Sequence, residues 1–278
     1  MNGATFTSPQ YQYVTGQGKP EFPSLLATYQ LESDAMARSA SARLDLRYGE
    51  GERETFDFFP SAGATRGTLV YFHAGYWQSR DKSNFRFLAK AYTVQGVNVA
   101  LVNYSLCPSV RVPDIVDCAR RALPVIDAAA SENSTAMPFF LAGHSAGGHI
   151  AVELAMTDWS SQDFQAFQPR IAKVIAISGV YDLAPLVDTT LNEKLRMNRT
   201  QAREASPLLR VQGRLPPAVF VVGGAETSEF IRQSSAMQEA WIAGGNTATL
   251  SILPGEDHFS ILRRVAQQAD ELLATNSR

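Results

Sequence analysis

The sequence predicts an α/β protein with a mostly parallel sheet covered by helices on both faces, in one domain spanning residues 1–278. Three observations predict it. Seven short apolar or β-branched runs alternate with helix-length stretches. Hydrophobic residues make up 45% of the chain and charged residues 19%, below the ~25% usual for globular proteins, so a sizeable core is implied. No internal repeat, low-complexity tract or linker divides the chain.

The residues before about position 40 read as a lead-in, rich in Gly, Pro, Ser and Thr, with helical composition from Glu21 to about Ala42. Strand signals follow at ETFDFF (Glu54 to Phe59), TLVYF (Thr68 to Phe72), VNVALV (Val97 to Val102), PFFLA (Pro138 to Ala142), AKVIAI (Ala172 to Ile177), AVFVV (Ala218 to Val222) and TATLSIL (Thr247 to Leu253). Helices are expected over Lys82 to Gln95, Pro113 to Ala130, Ala146 to Thr157, Ser228 to Ala243, and Phe259 to about Ala274. The stretch from Asp182 to Pro217 far exceeds the ~2–6 residues of an ordinary connection, so a small helical insertion or lid is expected there, roofing the pocket.

With 25 basic and 27 acidic side chains, net charge −2, the chain offers no electrostatic footprint for nucleic acid or an anionic membrane. A small-molecule partner is favoured, and a homodimer is compatible with the sequence. No stretch approaches the ~18 apolar residues of a membrane span, and MNGATFTSPQYQYVTGQG has neither the basic start nor the apolar core of a secretory signal, so a cytoplasmic location is expected. Cys107 and Cys118 read as reduced thiols in or near the core. Four histidines and two cysteines form no plausible ligand cluster, so neither a metal nor a cofactor is expected.

The chemistry concentrates in four places. Gly143, His144, Ser145, Ala146 and Gly147 spell G-x-S-x-G between a strand signal and a helix signal. In such an elbow the serine sits on a strained turn, the flanking glycines prevent backbone clashes, and the orphan N–H groups of the next helix lie beside any developing negative charge. HAGYW (His73 to Trp77) follows the strand TLVYF, and the N–H groups of Gly75 and Tyr76, with that of Ala146, are the expected oxyanion donors. The rings of Tyr76 and Trp77 are candidate substrate contacts or plain packing aromatics.

A serine needs a base. His73 belongs to the oxyanion loop, His144 to the elbow, and His149 lies one turn past Ser145, too local to reach its hydroxyl. That leaves His258, in the loop PGEDHFS after the last strand signal. The carboxylate that orients it should lie between serine and histidine. Glu226 follows AVFVV through a short loop and is preferred; Asp182, after AKVIAI, is the alternative. Asp257, adjacent to His258, reads as a turn residue.

These residues resemble the α/β-hydrolase superfamily, and within it the kynurenine formamidase (arylformamidase) group and its bacterial esterase relatives. The resemblance rests on HAGYW, similar to that group's HGGYW with Ala74 in place of a glycine; on GHSAGGH; on YDL and PL within Tyr181 to Leu186; on SPL at Ser206 to Leu208; and on GGAETSEF with RQS within Gly223 to Ser234. It covers most of the chain and extends to LRYGEGERETFDFFP. The group commonly carries an acidic residue, often Asp, where Glu226 stands, which supports the glutamate. The resemblance implies an α/β-hydrolase fold and a serine hydrolase acting through Ser145, Glu226 and His258 on an aryl formamide such as N-formylkynurenine. A short-chain carboxylesterase is the alternative, and a non-catalytic binding protein on the same scaffold is the third reading.

Overall fold

The computed structural model describes residues 6–131, 137–161 and 167–274. An edge strand β1 (Arg43–Arg47) precedes β2 (Thr55–Phe59), β3 (Thr68–Phe72), β4 (Asn98–Val102), β5 (Phe139–His144), β6 (Ile171–Ile177), β7 (Ala218–Gly223) and β8 (Ala248–Leu253). They form one sheet in the order β1-β2-β4-β3-β5-β6-β7-β8. Pairing is antiparallel between β1 and β2 and between β2 and β4, and parallel from β4 onward.

Period-two alternation assigns each strand two working faces. Val70, Phe72, Val102, Leu141 and Ala176 pack into one core cluster, and their neighbours Leu69, Tyr71, Leu101, Ala142 and Ile175 into the other. The first cluster is covered by α4 (Val112–Ala130), α5 (Ala146–Ala155) and α8 (Ser228–Ala243), which follow α1 (Pro9–Tyr13), α2 (Phe22–Ala37) and α3 (Ala89–Thr93) in the chain. The second cluster is covered by α2 and α3, and by α9 (Ile261–Gln267) and α10 (Ala269–Leu273). Every residue of α5 is buried, as expected of a helix wedged between a sheet and other helices.

The structure adds to the expected elements at several points. β1 carries only two leucines among three charged residues and gives no clear strand signal; as an edge it gains from charge rather than losing by it. Residues Lys82–Leu88 form a 3-10 helix before α3 instead of one long helix, and the C-terminal helix is broken at Gln268 between α9 and α10. Between β6 and β7 lie 3-10 turns at Ala184–Asp188 and Pro207–Leu209 and the short helices α6 (Asn192–Leu195) and α7 (Arg199–Glu204). Both cysteines are buried free thiols.

Strand order decides where a site can form. After β3 the chain moves to one side to make β4, then crosses to the other side of β3 to make β5. The loops leaving β3 and β5 therefore diverge and open a crevice at the carboxyl edge, the preferred binding position in open parallel sheets. The loops after β7 and β8 reach the same edge.

Candidate active site

Ser145 connects β5 directly to α5 with φ of 57°, a left-handed conformation that costs a non-glycine residue about 1–3 kcal/mol. The elbow is too tight for side chains on either flank. A Cβ at Gly143 would lie 2.0 Å from the Gly147 carbonyl oxygen, and one at Gly147 would lie 1.9 Å from that of Phe72. The Ser145 N–H donates to the Ile177 carbonyl at 2.8 Å, which ties the turn to β6.

The loop after β3 is equally constrained. Gly75, Tyr76 and Trp77 all have positive φ, at 129°, 51° and 58°, and a Cβ on Gly75 would meet the Ser79 carbonyl oxygen at 2.1 Å. His73 holds the base of the loop: its ring stacks on Tyr104 at 4.3 Å, its Nδ1–H donates to the Ala74 carbonyl at 2.7 Å, and Tyr104 Oη donates to the His73 carbonyl at 2.7 Å. Burial pushes the His73 pKa down to about 4, so its ring is neutral. Among the described residues no turn or loop hydrogen bond uses the N–H of Gly75, Tyr76 or Ala146. At Ala146 this is the usual state of a first-turn donor.

His258 is buried at the start of the segment that leads into α9, packed against Phe230 and His144, each with ring centroids 4.6 Å away. Burial and the neighbouring His258 hold the His144 pKa well below its ordinary value. His258 Nδ1–H donates to Glu226 Oε2 at 2.7 Å, which assigns the tautomer and leaves Nε2 as the basic nitrogen. Glu226 Oε1 accepts from the Gly223 N–H at 2.8 Å and from Ser178 Oγ at 2.5 Å. The Glu226 side chain is fully buried, and these three donors replace the water it has lost.

Ser145, His258, Gly75 and Tyr76 line one cavity of about 290 Å³, so the expected nucleophile and base share a single space with two of the three expected donors; Ala146, the third, is not among its lining residues. Asp182 is placed elsewhere: its Oδ1 accepts the Ala184 N–H at 3.1 Å, while Glu226 holds the histidine. Asp257 caps its own turn, Oδ1 accepting from the N–H groups of Phe259 and Ser260, both at 2.9 Å. His149 donates through Nε2 to the Ala205 carbonyl at 2.9 Å. Trp77 corrects the expectation of a substrate contact: its ring is wholly buried, edge-on to His149 at 5.1 Å, and is not among the residues lining the cavity. Tyr76 does line it, but its hydroxyl is committed to the Tyr13 carbonyl.

The sequence reading passed over two contributions. Ser178 is one; its only signal is a polar residue where the apolar run of β6 meets the carboxyl edge. The other is the lead-in segment. Tyr13, Val14, Gln17, Gly18 and Phe22 all line the cavity, against Leu191 alone from the insertion after β6. The roof expected from that insertion is therefore mostly N-terminal. It is fastened by polar contacts that no periodicity reveals: Gln12 Oε1 accepts the Glu229 N–H at 3.1 Å, Tyr13 Oη donates to Glu229 at 2.8 Å, and Gln17 Nε2 donates to Thr227 Oγ1 at 2.5 Å.

The alpha/beta hydrolase fold family matches residues 69–262. A kynurenine formamidase of Danio rerio is 32% identical over 240 residues, 84% of this chain and 80% of its own length. One of Drosophila melanogaster is 29% identical over 233 residues, 80% of this chain and 76% of its own length. Among solved structures, a candidate thioesterase from Silicibacter sp. is 32% identical with a TM-score of 0.81, over 96% of this chain and 98% of that one. Esterase B of a Lactobacillus shares the fold at 18% identity, with a TM-score of 0.67 over 91% of this chain and 98% of its own. The chain belongs to the α/β-hydrolase family of ester- and amide-cleaving enzymes and, within it, groups with the kynurenine formamidases.

Proposed function

We propose that this protein is a serine hydrolase that cleaves a small acyl amide or ester, foremost an aryl formamide such as N-formylkynurenine, through Ser145, His258 and Glu226. The observation that carries this reading is that Ser145 and His258 line one cavity beside the Gly75 and Tyr76 loop, while His258 Nδ1 lies 2.7 Å from the buried Glu226.

His258 Nε2 takes the Ser145 proton as Oγ attacks the acyl carbon, and the N–H groups of Gly75, Tyr76 and Ala146 hold the resulting oxyanion. Glu226 keeps Nδ1 protonated and stabilises the imidazolium. The imidazolium then gives its proton to the leaving amine or alcohol as the C–N or C–O bond breaks, which leaves an acyl-Ser145. Water, deprotonated by the same nitrogen, attacks the acyl group; Ser145 recovers its proton, and the acid leaves, formate in the case of a formamide.

The small cavity, about 290 Å³ and walled by Tyr13, Phe22 and Tyr76, suits a compact aromatic substrate better than a long acyl chain. The relationship to kynurenine formamidases favours the formamide; the likeness to esterase folds keeps short esters as the second reading. Comparing kcat/KM for N-formylkynurenine with that for a short-chain nitrophenyl ester separates the two. Ser145→Ala should lower kcat about 10³-fold or more. Failure of a fluorophosphonate to label Ser145 would overturn the serine mechanism and leave a binding protein on a hydrolase scaffold.

A further inference from the structure

The cavity that holds Ser145 and His258 has one permanent charge in its wall, and that charge is positive. Arg80 lines the cavity and is exposed at its solvent side. Among the described residues no carboxylate lines the same space. The guanidinium lies over the Phe259 ring at 5.4 Å from its centroid, and Phe259 follows His258 directly. Its stem covers the oxyanion loop: a Cβ on Gly75 would meet Arg80 Cγ at 3.0 Å. The residue therefore bridges the two halves of the site, with φ of 72°, a left-handed backbone that aims the side chain across the mouth.

Most arginines near this edge are already engaged. Arg53 pairs with Asp81 and Arg86 with Asp57. Asp81, next in sequence to Arg80, is further occupied by the Ser83 N–H and by Asn103. Among the described residues the Arg80 guanidinium has no carboxylate partner and donates no hydrogen bond; it rests on the face of Phe259. A planar guanidinium resting on an aromatic ring keeps its edge free for a bidentate acceptor.

We propose that Arg80 is a specificity-determining anion anchor, which pairs with a carboxylate on the acyl substrate while the scissile carbonyl lies against Ser145. This rests on the hydrolase reading above and adds to it the residue that reads the substrate's carboxylate. The wall around the anchor, from Phe259 and Phe22, suits an aromatic body between carboxylate and acyl group.

The test compares formanilide, a neutral aryl formamide, with the 2-, 3- and 4-formamidobenzoates, which add one carboxylate at different reach. In the wild type at least one isomer should exceed formanilide in kcat/KM by about fivefold or more, and the advantage should shrink as salt is raised. Arg80→Gln should abolish that advantage, read as the ratio of kcat/KM for the formamidobenzoate to that for formanilide within the same variant, with Arg80→Lys intermediate because it keeps the charge but loses the fork. An advantage that survives in Arg80→Gln, or no advantage for any isomer, overturns the anchor. Binding of the same formamidobenzoates to Ser145→Ala, measured by calorimetry with and without Arg80→Gln, reads the anchor independently of turnover. If the wild type hydrolyses neither formanilide nor a nitrophenyl ester, the hydrolase reading fails. Anion binding that still depends on Arg80 would then uphold the anchor alone, and binding indifferent to Arg80 would overturn it.

Discussion

Ser178 Oγ donates to Glu226 Oε1 at 2.5 Å, on the carboxylate oxygen that does not face His258. The two residues leave adjacent strands, β6 and β7, so the acid behind the histidine is braced across the sheet as well as along its own loop. Ser178 has φ of 47°, a backbone suited to glycine, and Ser178→Gly therefore removes the hydroxyl without adding strain. A hydrogen bond to a charged group contributes about 1.5–3 kcal/mol. If the brace serves the reaction, Ser178→Gly should lower kcat about tenfold with KM nearly unchanged, while denaturant unfolding shows the fold intact. Unchanged kcat would reduce the brace to packing.

The elbow predicts opposite effects of one substitution on stability and activity. Ser145 carries φ of 57°, a strain that glycine relieves. Ser145→Gly should leave the protein about 1 kcal/mol more stable, after allowing for the greater freedom of glycine in the unfolded chain, and without measurable turnover. Thermal unfolding of wild type, Ser145→Ala and Ser145→Gly checks it: the alanine variant keeps the strain and should unfold near the wild type.

Acid should loosen the oxyanion loop first. The His73 pKa is pushed down to about 4 by burial, against about 6.5 in an unfolded chain. Below pH 6.5 the unfolded state binds the proton and the folded state does not, so stability falls as pH drops from about 6.5 to about 4. Integrated over that window, this one fully buried ring accounts for about 3 kcal/mol. Burial lowers the pKa values of His144 and His149 too, which steepens the loss. His73→Asn should flatten the pH dependence of the denaturant midpoint between pH 7 and pH 4; an unchanged slope contradicts the assignment.

Gln233 is fully buried with all four of its hydrogen bonds made. Oε1 accepts the N–H groups of Tyr181 and Asp182 at 2.5 and 2.8 Å, and Nε2 donates to Tyr13 Oη and the Asp182 carbonyl at 2.6 and 3.0 Å. Gln233→Leu strands buried partners on both sides, at about 2–4 kcal/mol in total. It also removes one of the two hydrogen bonds at the hydroxyl of Tyr13, a cavity wall, so KM should rise more than kcat falls. Equilibrium unfolding and steady-state kinetics on one preparation test both parts.

Legibility from sequence followed the kind of force involved. Strands β2 to β7 are mostly apolar because both faces are buried, and such runs show in any window. The elbow at Ser145 was equally visible, since only small residues fit where a Cβ would lie 1.9 Å from a carbonyl oxygen. Glu226 could be favoured over Asp182 only by position and resemblance, because nothing local distinguishes a carboxylate that meets a histidine from one that closes a turn. Tyr13 and Gln17 carry no sequence signal for a related reason. Their places depend on hydrogen bonds to residues 227–233, and pairings so distant in sequence leave no periodic trace.

The cavity wall around Tyr13 also bears on when reactivity can arise during synthesis. A growing chain that has passed Ala155 already contains the Ser145 elbow, yet it lacks Glu226, Ser178 and His258, and its N-terminal segment has no α8 to bind. Its serine is then an ordinary alcohol beside an unroofed crevice. On the serine mechanism proposed above, early and late segments must meet before the serine has a base, so a half-made molecule does not attack stray acyl groups, and the appearance of turnover reports that β7, β8 and the segment around Tyr13 are all in place.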